Sequence, residues 1–429
     1  MNAKAGKQNV RSREPKPSSS EDRAVLYHHK APASKLGKGE NRTTEGTVRR
    51  IGVRIIAGIC MIAGFITILL TSHEIVALFV VLLQIGMFRE IVNINHHAAK
   101  EKGQWGIRVL NWYFMTTALY FVYGRGVWTY LRDYVPDRFY HIVYHHHLLH
   151  SFILHMIGFV GFIFSLHGQT LRYQIRQITW VFVTILNIFV QCHFIVENIY
   201  RGLIWFILPH SLIICNDVFA YITGLTLGRK FINRPLIKLS PKKTWEGFIG
   251  GLIATIIAGI IGSRYLASFS WFRCSKLQLK ESGTCPVSHL FTPVKLQSYL
   301  GFRLPSFLSD VTWMPMQSHS IAFSLFASLV APFGGFLASA VKRAYQKKDF
   351  DTLIPGHGGI TDRFDCQLLV GLFIHVYYVT FIKSTFTDIE AILLAISALP
   401  PTEQLQVYSE LSKHVSELHV SHPAPSLSS

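Results

Sequence analysis

Charged residues are scarce in this chain of 429 residues. Only 15% of the residues are Asp, Glu, Lys or Arg, whereas 50% are hydrophobic, and the mean hydropathy is +0.30. This composition is too apolar for an ordinary soluble protein and excludes that class. The sequence therefore predicts an all-α fold, a polytopic helical bundle embedded in a membrane.

The apolar residues are gathered into windows of the length that a transmembrane helix requires. A helix needs about 20 predominantly apolar residues to cross a hydrocarbon core of ~30 Å. We count about nine such windows as predicted transmembrane helices. They lie near residues 51–71, 74–92, 107–130, 150–167, 178–200, 202–228, 245–267, 318–341 and 364–384.

Acidic residues are scarcer than basic ones, with 24 Asp and Glu against 42 Lys and Arg and a net charge of +18. A nucleic-acid-binding protein would carry such charge on a soluble domain with a basic face and interleaved aromatic residues. The sequence contains no soluble domain of useful size, so nucleic acid is excluded as a partner. Basic connections beside predicted spans explain the charge and favour an anionic partner on the cytosolic face.

The distribution of polar residues divides the chain into three parts. Residues 1–47 are predicted to be a disordered, basic, cytosolic tail without a cleavable signal peptide. Residues 48–385 are predicted to form the multi-spanning catalytic domain, and 386–429 an amphipathic carboxyl-terminal tail. Successive loops lie on alternate sides of the membrane, starting from the cytosolic amino terminus. This predicts that the loop 268–317 lies in the lumen and that the connections 229–244 and 342–363 lie in the cytosol.

Cysteine is also infrequent, and the six residues lack the paired spacing of a metal site. Cys274 and Cys285 share the predicted lumenal loop. Because an oxidising lumen permits disulfides, we expect these two residues to be bridged.

One aspartate falls within an apolar window. Asp217 follows Asn216 inside the sixth predicted span. An ionisable side chain at that depth costs about 2.5–3.5 kcal/mol on insertion scales, and it therefore indicates a functional site. The structural alternative is a satisfied polar contact with a neighbouring helix.

The segment before the seventh window resembles the beginning of a helix. Ser240 is predicted as its N-cap and Pro241 as its first helical residue. Free N–H groups at that helix end, together with Lys242 and Lys243, would form an anion site. A plain cytosolic helix start is the alternative, but Glu246 and the glycines that follow it favour a functional role.

A polar stretch between the last two windows, at 339–365, contains basic side chains and a glycine-rich turn. Lys342 and Arg343 end the eighth window, and Gly358 and Gly359 would let the backbone approach phosphate oxygens. His357 is predicted either to bind phosphate or to order the turn.

Two carboxylates follow that turn. Asp362 and Asp365 lie one helical turn apart and face the same way. Neighbouring carboxylates repel each other unless a cation lies between them. Together with Asp217 they predict an oxygen-rich site for Mg²⁺, which prefers carboxylates and substrate phosphates.

These motifs resemble the signature of CDP-diacylglycerol synthase (phosphatidate cytidylyltransferase) of the eukaryotic type. The pattern S-x-x-K-R begins at Ser339, K-D at Lys348, and H-G-G-x-x-D-R-x-D at His357. The segments 216–221 and 239–247 are also similar, and the resemblance covers roughly residues 48–415. The chain departs from the pattern at Asp351, where the family usually has a small residue.

The resemblance implies transfer of a cytidylyl group from CTP to phosphatidic acid, with CDP-diacylglycerol and pyrophosphate as products for phospholipid synthesis. It implies Mg²⁺, with room for a second cation, on Asp217, Asp362 and Asp365. The implied catalytic residues are Asp217, Lys243, Lys342, Asp362 and Asp365. The implied substrate-binding residues are Ser240, Lys242, Glu246, Arg343, His357, Gly358, Gly359 and Arg363.

Within that set, Lys242, Lys243, Lys342 and the Gly358–Gly359 turn would hold the CTP phosphates. Arg343 or Arg363 would contact the phosphatidate headgroup. The resemblance also implies an endoplasmic reticulum membrane, with the active site facing the cytosol. The oligomeric state stays open, a homodimer included.

Two other functions remain as alternatives. A CTP-dependent lipid kinase of the dolichol-kinase type would combine many spans with a cytosolic nucleotide site, but it would release CDP instead of pyrophosphate. A membrane transporter would place Asp217 along a permeation path. The chain lacks the repeat symmetry of many transporters, and it lacks the aspartate-rich motif of CDP-alcohol phosphotransferases.

Overall fold

The computed structural model describes residues 44–94, 105–168, 170–237, 240–276, 278–279, 285, 287–300, 310–383, 393, 396 and 399–421. The chain divides into two units, Met1–Ile56 and Ala57–Ser429. In the first unit the described residues form the beginning of helix α1. The rest of the predicted tail at 1–47 lies outside the described residues.

Helices account for nearly all of the regular structure. They are α1 Thr44–Leu69, α2 His73–Ile94, α3 Trp105–Tyr130, α4 Asp137–His145, α5 His147–Phe164, α6 Leu171–Arg201, α7 Ile204–Thr226, α8 Trp245–Ala267, α9 Ser270–Arg273, α10 Leu296–Leu300, α11 Pro315–Leu329, α12 Pro332–Ala344, α13 Thr361–Tyr377 and α14 Pro401–Ser421. A π-helical turn, Tyr378–Ile382, extends α13. The short strands are β1 Pro235–Ile237, β2 Ser240–Thr244, β3 Val294–Lys295 and β4 Thr312–Trp313.

The predicted polytopic helical bundle is confirmed, with one difference in the count of spans. Among the described residues, eight helical segments are long and apolar enough to cross a membrane. The third predicted span forms the helix α3 but is not among the eight. Arg108, Asn111 and Arg125 interrupt the apolar residues of that helix and lower its hydropathy.

Helices α11 and α12 together form a single candidate span, Pro315–Ala344, which is broken at its centre. Pro332 begins α12, and it has no N–H group with which to continue the hydrogen bonds of α11. The break lets the two halves run in different directions, so that α12 packs along α13.

Helices α7 and α8 pack closely through small residues. A Cβ atom built on Gly247 would lie 2.7 Å from the carbonyl oxygen of Ala220, and one on Gly251 would lie 2.9 Å from Asn216 Oδ1. Gly259 meets Ser324 of α11 in the same way. Such contacts are typical of helix packing in membranes, where small residues allow two backbones to approach.

Helix α8, the seventh predicted span, begins later than the sequence predicted. Its first residue is Trp245, and the N-cap is Thr244, whose side chain accepts a hydrogen bond from the Gly247 N–H. The prediction that Ser240 caps this helix was wrong. Residues Ser240–Thr244 form strand β2 instead, because they pair antiparallel with β1 in a hairpin.

At one end of the bundle, the loop after α8 contacts the connection between α1 and α2. Trp271 donates a hydrogen bond from Nε1 to the Leu69 carbonyl at 3.0 Å, and Lys276 forms an ion pair with Glu74 at 3.1 Å. The predicted disulfide between Cys274 and Cys285 is present in this loop. The bridge stabilises the loop against the helix ends beneath it.

The opposite end of the bundle holds the connection between α12 and α13. Trp180 of α6 donates to the Ile91 carbonyl of α2 at 3.1 Å and stacks at an angle on Tyr345. Phe350 is buried in the same cluster, together with Ile94. The segment 345–360 therefore lies against the ends of α2 and α6.

Candidate active site

Two of the predicted aspartates approach each other between α7 and α13. The carboxylate of Asp365 interacts electrostatically with that of Asp217 and with Lys342. Helix α12 makes room for this arrangement, since a Cβ atom on Gly335 would lie 3.6 Å from Asp365 Oδ2. Asp365 is half-buried, whereas Asp217 is exposed. Of the two carboxylates, that of Asp217 is therefore the less enclosed by other side chains of the protein.

The third aspartate has different partners. Asp362 Oδ1 accepts from Lys342 Nζ at 2.5 Å, and Oδ2 accepts from the N–H groups of Phe350 at 2.9 Å and Gly359 at 3.1 Å. Its side chain is only 5% exposed. Asp362 thus joins the end of α12 to both sides of the glycine-rich turn.

The predicted magnesium ligands are consequently divided. Across the part of the chain that the structure describes, no three His, Cys, Asp or Glu side chains form a group able to hold a metal ion. Asp217 and Asp365 lie together, while Asp362 is bound to Lys342. Two carboxylates still fit Mg²⁺, because this ion commonly takes one or two carboxylates and completes its shell with water and substrate phosphates.

Two lysines face the carboxylate pair. Lys243, at the end of β2, interacts electrostatically with Asp217, and its ammonium group lies 4.9 Å from the ring centroid of Phe336 in α12. Lys342 interacts with Asp365, and its ammonium group lies 5.4 Å from the Phe350 ring. Each lysine is thus held by an aromatic face beside one of the carboxylates.

The glycine-rich turn is closed by its own backbone. Gly356 and Gly358 have φ angles of +75° and +87°, which side-chain-bearing residues rarely adopt. Ile354 and Gly358 exchange backbone hydrogen bonds of 2.9 and 3.2 Å. Gly358 also faces the Asp362 carboxylate, where a Cβ atom would lie 3.3 Å from Oδ2.

The remaining predicted residues of this stretch stabilise the turn. Arg363 donates twice to the carbonyl of His357, at 3.0 and 2.6 Å. The His357 ring contacts the Pro355 carbonyl at 3.3 Å, and Arg343 donates to the Lys347 carbonyl at 3.3 Å. These contacts favour the ordering role that the sequence allowed for His357. The predicted role of Arg343 or Arg363 at the lipid headgroup stays a prediction.

Glu246 fixes the loop that precedes the β-hairpin. Its Oε1 atom accepts from the N–H groups of Phe231 at 3.0 Å and Ile232 at 2.8 Å. Ser240 and Lys242 lie in strand β2, but their side chains are outside the described residues. Their predicted contacts with substrate stay predictions.

One important residue was not predicted. Glu90 of α2 is 1% exposed, and its two carboxylate oxygens accept from the N–H groups of Ile360 at 2.7 Å and Thr361 at 2.8 Å. A carboxylate is favourable at this position because it compensates the positive end of the α13 dipole. The signal was available in the sequence, since Glu90 is an acid inside an apolar window, as Asp217 is.

The sequence is similar to known proteins over most of its length. The family model described as "Cytidylyltransferase family" matches residues 52–381, which include every residue of the site described above.

Curated relatives cover most of the chain. A "Probable phosphatidate cytidylyltransferase" of Dictyostelium discoideum is 45% identical over 86% of this chain and 78% of its own length. A "Putative phosphatidate cytidylyltransferase" of Schizosaccharomyces pombe is 36% identical over 95% and 91%, respectively. The human "Phosphatidate cytidylyltransferase 1" is 38% identical over 86% and 80%. With the family model spanning the whole membrane domain, the chain belongs to the cytidylyltransferase family.

Proposed function

We propose that the protein transfers a cytidylyl group from CTP to phosphatidic acid and releases pyrophosphate. One observation carries this proposal: Asp217, Asp365, Lys243 and Lys342 converge from four separate elements in a chain of the cytidylyltransferase family. The relatives named above are phosphatidate cytidylyltransferases, which supports CTP and phosphatidate as the substrates.

The reaction forms one phosphorus–oxygen bond and breaks another. A phosphate oxygen of phosphatidate attacks the α-phosphorus of CTP, and the bond from that phosphorus to the α–β bridging oxygen breaks. Pyrophosphate takes the bonding electron pair and leaves, so that CDP-diacylglycerol remains. The attacking oxygen is already anionic, and no strong general base is required. The main obstacle is the repulsion between two polyanions.

The lysines of the site address that repulsion. Lys243 and Lys342 place positive charge at the carboxylate pair, where CTP phosphates would bind. Fixed charges of this kind stabilise a phosphoryl-transfer transition state because they need no reorganisation during the reaction. We assign both lysines to the triphosphate, with Lys242 and the Gly358–Gly359 turn as further contacts.

Asp217 and Asp365 would hold Mg²⁺. When bound, the ion would neutralise phosphate charge and orient the triphosphate. Asp362 can join these ligands, or help to hold a second cation, only if Lys342 releases it. In the described arrangement, Asp362 acts by positioning Lys342 and the turn at 350–359.

We further propose that the protein lies in the endoplasmic reticulum membrane. The active site would face the cytosol, where CTP is available. The basic connections 229–244 and 342–363 support this orientation, since cytosolic loops carry an excess of Lys and Arg.

Product analysis tests the proposed reaction against the kinase alternative. Detergent-purified protein is incubated with phosphatidate, Mg²⁺ and CTP labelled either at the α- or at the γ-phosphorus. Cytidylyl transfer moves the α label into lipid and the γ label into pyrophosphate. A kinase would move the γ label into lipid and release CDP, and that result would refute the proposal.

A further inference from the structure

A polar cavity lies beside the candidate active site. It has a volume of about 360 Å³ and is enclosed by the last turns of α2, the first turns of α3 and the segment 347–351. Phe350 forms the wall that it shares with the active site. The Phe350 ring contacts the Lys342 ammonium, and the Phe350 N–H binds Asp362.

The charges around this cavity are mostly positive. Among the described residues, Arg89, Arg108 and Lys347 line it, together with the acidic residue Asp351. These three positive charges and one negative charge sum to +2. A phosphate monoester carries about −1.5 to −2 near pH 7, so the charge of the cavity matches that group.

A buried amide in the cavity has no hydrogen-bond partner among the described residues. Asn111 is 1% exposed and lines the cavity, yet within that part of the chain neither its Oδ1 nor its Nδ2 atom forms a hydrogen bond. Leaving such a group unsatisfied is unfavourable, and a bound ligand with donors and acceptors would satisfy it. A phosphate ester beside a glycerol backbone offers both kinds of group.

The other lining residues indicate a lipid ligand. Phe88, Val92 and Trp112 form an apolar side of the cavity, and the rings of Phe88 and Trp112 lie 5.9 Å apart. Aromatic residues with a nearby polar group are common at the depth of lipid headgroups. The cavity thus combines a cationic part with an apolar part, as a phospholipid requires.

We propose that this cavity binds the phosphate monoester headgroup of the acceptor lipid. The inference rests on the proposed function and specifies where its lipid substrate is recognised. It moves that role from Arg343 and Arg363, whose guanidinium groups donate to backbone carbonyls, to Arg89 and Lys347. Asp351, where the chain departs from the family pattern, then lies in the headgroup site.

Binding without turnover provides the first test. Purified protein is heated with dioctanoyl phosphatidic acid in the absence of CTP, so that no transfer takes place. We expect this lipid to raise the Tm, and Arg89→Gln to weaken its apparent affinity about tenfold, because one charge-assisted hydrogen bond is lost. Arg89 is exposed, so its replacement leaves the helix packing unchanged. Equal stabilisation by dioctanoyl phosphatidylglycerol, a phosphodiester, would overturn the monoester assignment.

Steady-state kinetics provide the second test. Arg89→Gln and Lys347→Gln should each raise the KM for phosphatidate about tenfold while the KM for CTP stays within twofold. The matched control is Arg172→Gln, an exposed arginine at the same end of the bundle that does not line the cavity. An unchanged KM for phosphatidate in both variants, or an equal rise in the KM for CTP, would refute the inference. Absence of transfer by the wild-type protein, together with stabilisation by phosphatidate, would instead refute the proposed function and leave the lipid site standing.

Discussion

Asp362 and Asp365 lie three residues apart at the beginning of α13, and their carboxylates have different partners. Asp365 faces Asp217 across the site, whereas Asp362 binds Lys342 and two backbone N–H groups. The spacing of the two aspartates indicated a shared cation. In the structure the two residues have different roles. Asp362 positions Lys342, and Asp365 is the candidate metal ligand.

Replacing Asp362 tests the positioning role. In Asp362→Asn the amide still accepts from Phe350 and Gly359, but the charge that holds Lys342 is lost. We expect kcat to fall about 100-fold, as for the loss of one preorganised electrostatic contact, with membrane insertion intact. Labelled-CTP incorporation measures the rate, and Asp133→Asn, an exposed aspartate, is the matched control. Wild-type incorporation by Asp362→Asn would contradict any role for this carboxylate.

Two other residues show which features could be predicted from the sequence alone. Asp217 was predicted because a charge inside an apolar window is conspicuous, and Glu90 carries the same signal. The partner of Glu90 could not be predicted, since the contact joins residues 270 positions apart in the chain. Such a pair depends on how α2 packs against the beginning of α13.

At the level of elements, α12 and α13 approach each other through glycines. A Cβ atom on Gly334 would lie 2.5 Å from the Asp365 carbonyl oxygen, which belongs to the backbone and cannot move aside. The two helices can therefore remain in contact only if this position has no side chain. The same contact determines how close Asp365 lies to Lys342.

Adding a methyl group at that contact should separate the helices. We expect Gly334→Ala to cost about 1–3 kcal/mol through overpacking and to lower turnover by displacing Asp365. Thermal unfolding and labelled-CTP incorporation measure the two effects. The control is Gly161→Ala in α5, where a Cβ atom would meet nothing within 4 Å. Equal Tm and turnover in both variants would show that the α12–α13 contact is looser than described.

The elements themselves were largely predictable, but their limits were not. Apolar windows gave the position of all eight candidate spans among the described residues, because hydropathy depends on local composition. Ser240 was predicted to be the N-cap of α8, yet hairpin pairing with β1 makes its segment a strand. Likewise, α3 formed where the third window predicted it, although its polar residues leave it outside the eight candidate spans.

For the whole molecule, the contacts at the two ends agree with the predicted alternation of sides. The loop that contains Cys274 and Cys285 meets the connection between α1 and α2 at one end. The segment 345–360 meets the ends of α2 and α6 at the other. The order of helices along the chain was predictable, whereas the meeting of α7 with α13 was not, because nearly 150 residues separate Asp217 from Asp365.

The disulfide should stabilise the whole bundle without affecting the chemistry. It joins cysteines 11 positions apart, and closing a loop of that size is worth about 3 kcal/mol in the chain-entropy model. We expect the double variant Cys274→Ser, Cys285→Ser to unfold at a lower temperature while its turnover stays near the wild-type rate. Cys60→Ser, which removes an exposed free thiol, is the control. Alkylation of both loop thiols in the absence of reductant would contradict the bridge.

The carboxylate pair is the centre of the proposed site, and its removal is the most direct test. Turnover of CTP and phosphatidate is measured in purified Asp365→Asn and Asp217→Asn, each with its Tm. If the pair holds Mg²⁺ at the triphosphate, both variants should lose at least about 1,000-fold in kcat while their Tm stays within a few degrees of the wild type. Rates within tenfold of the wild type in either variant would contradict the assignment.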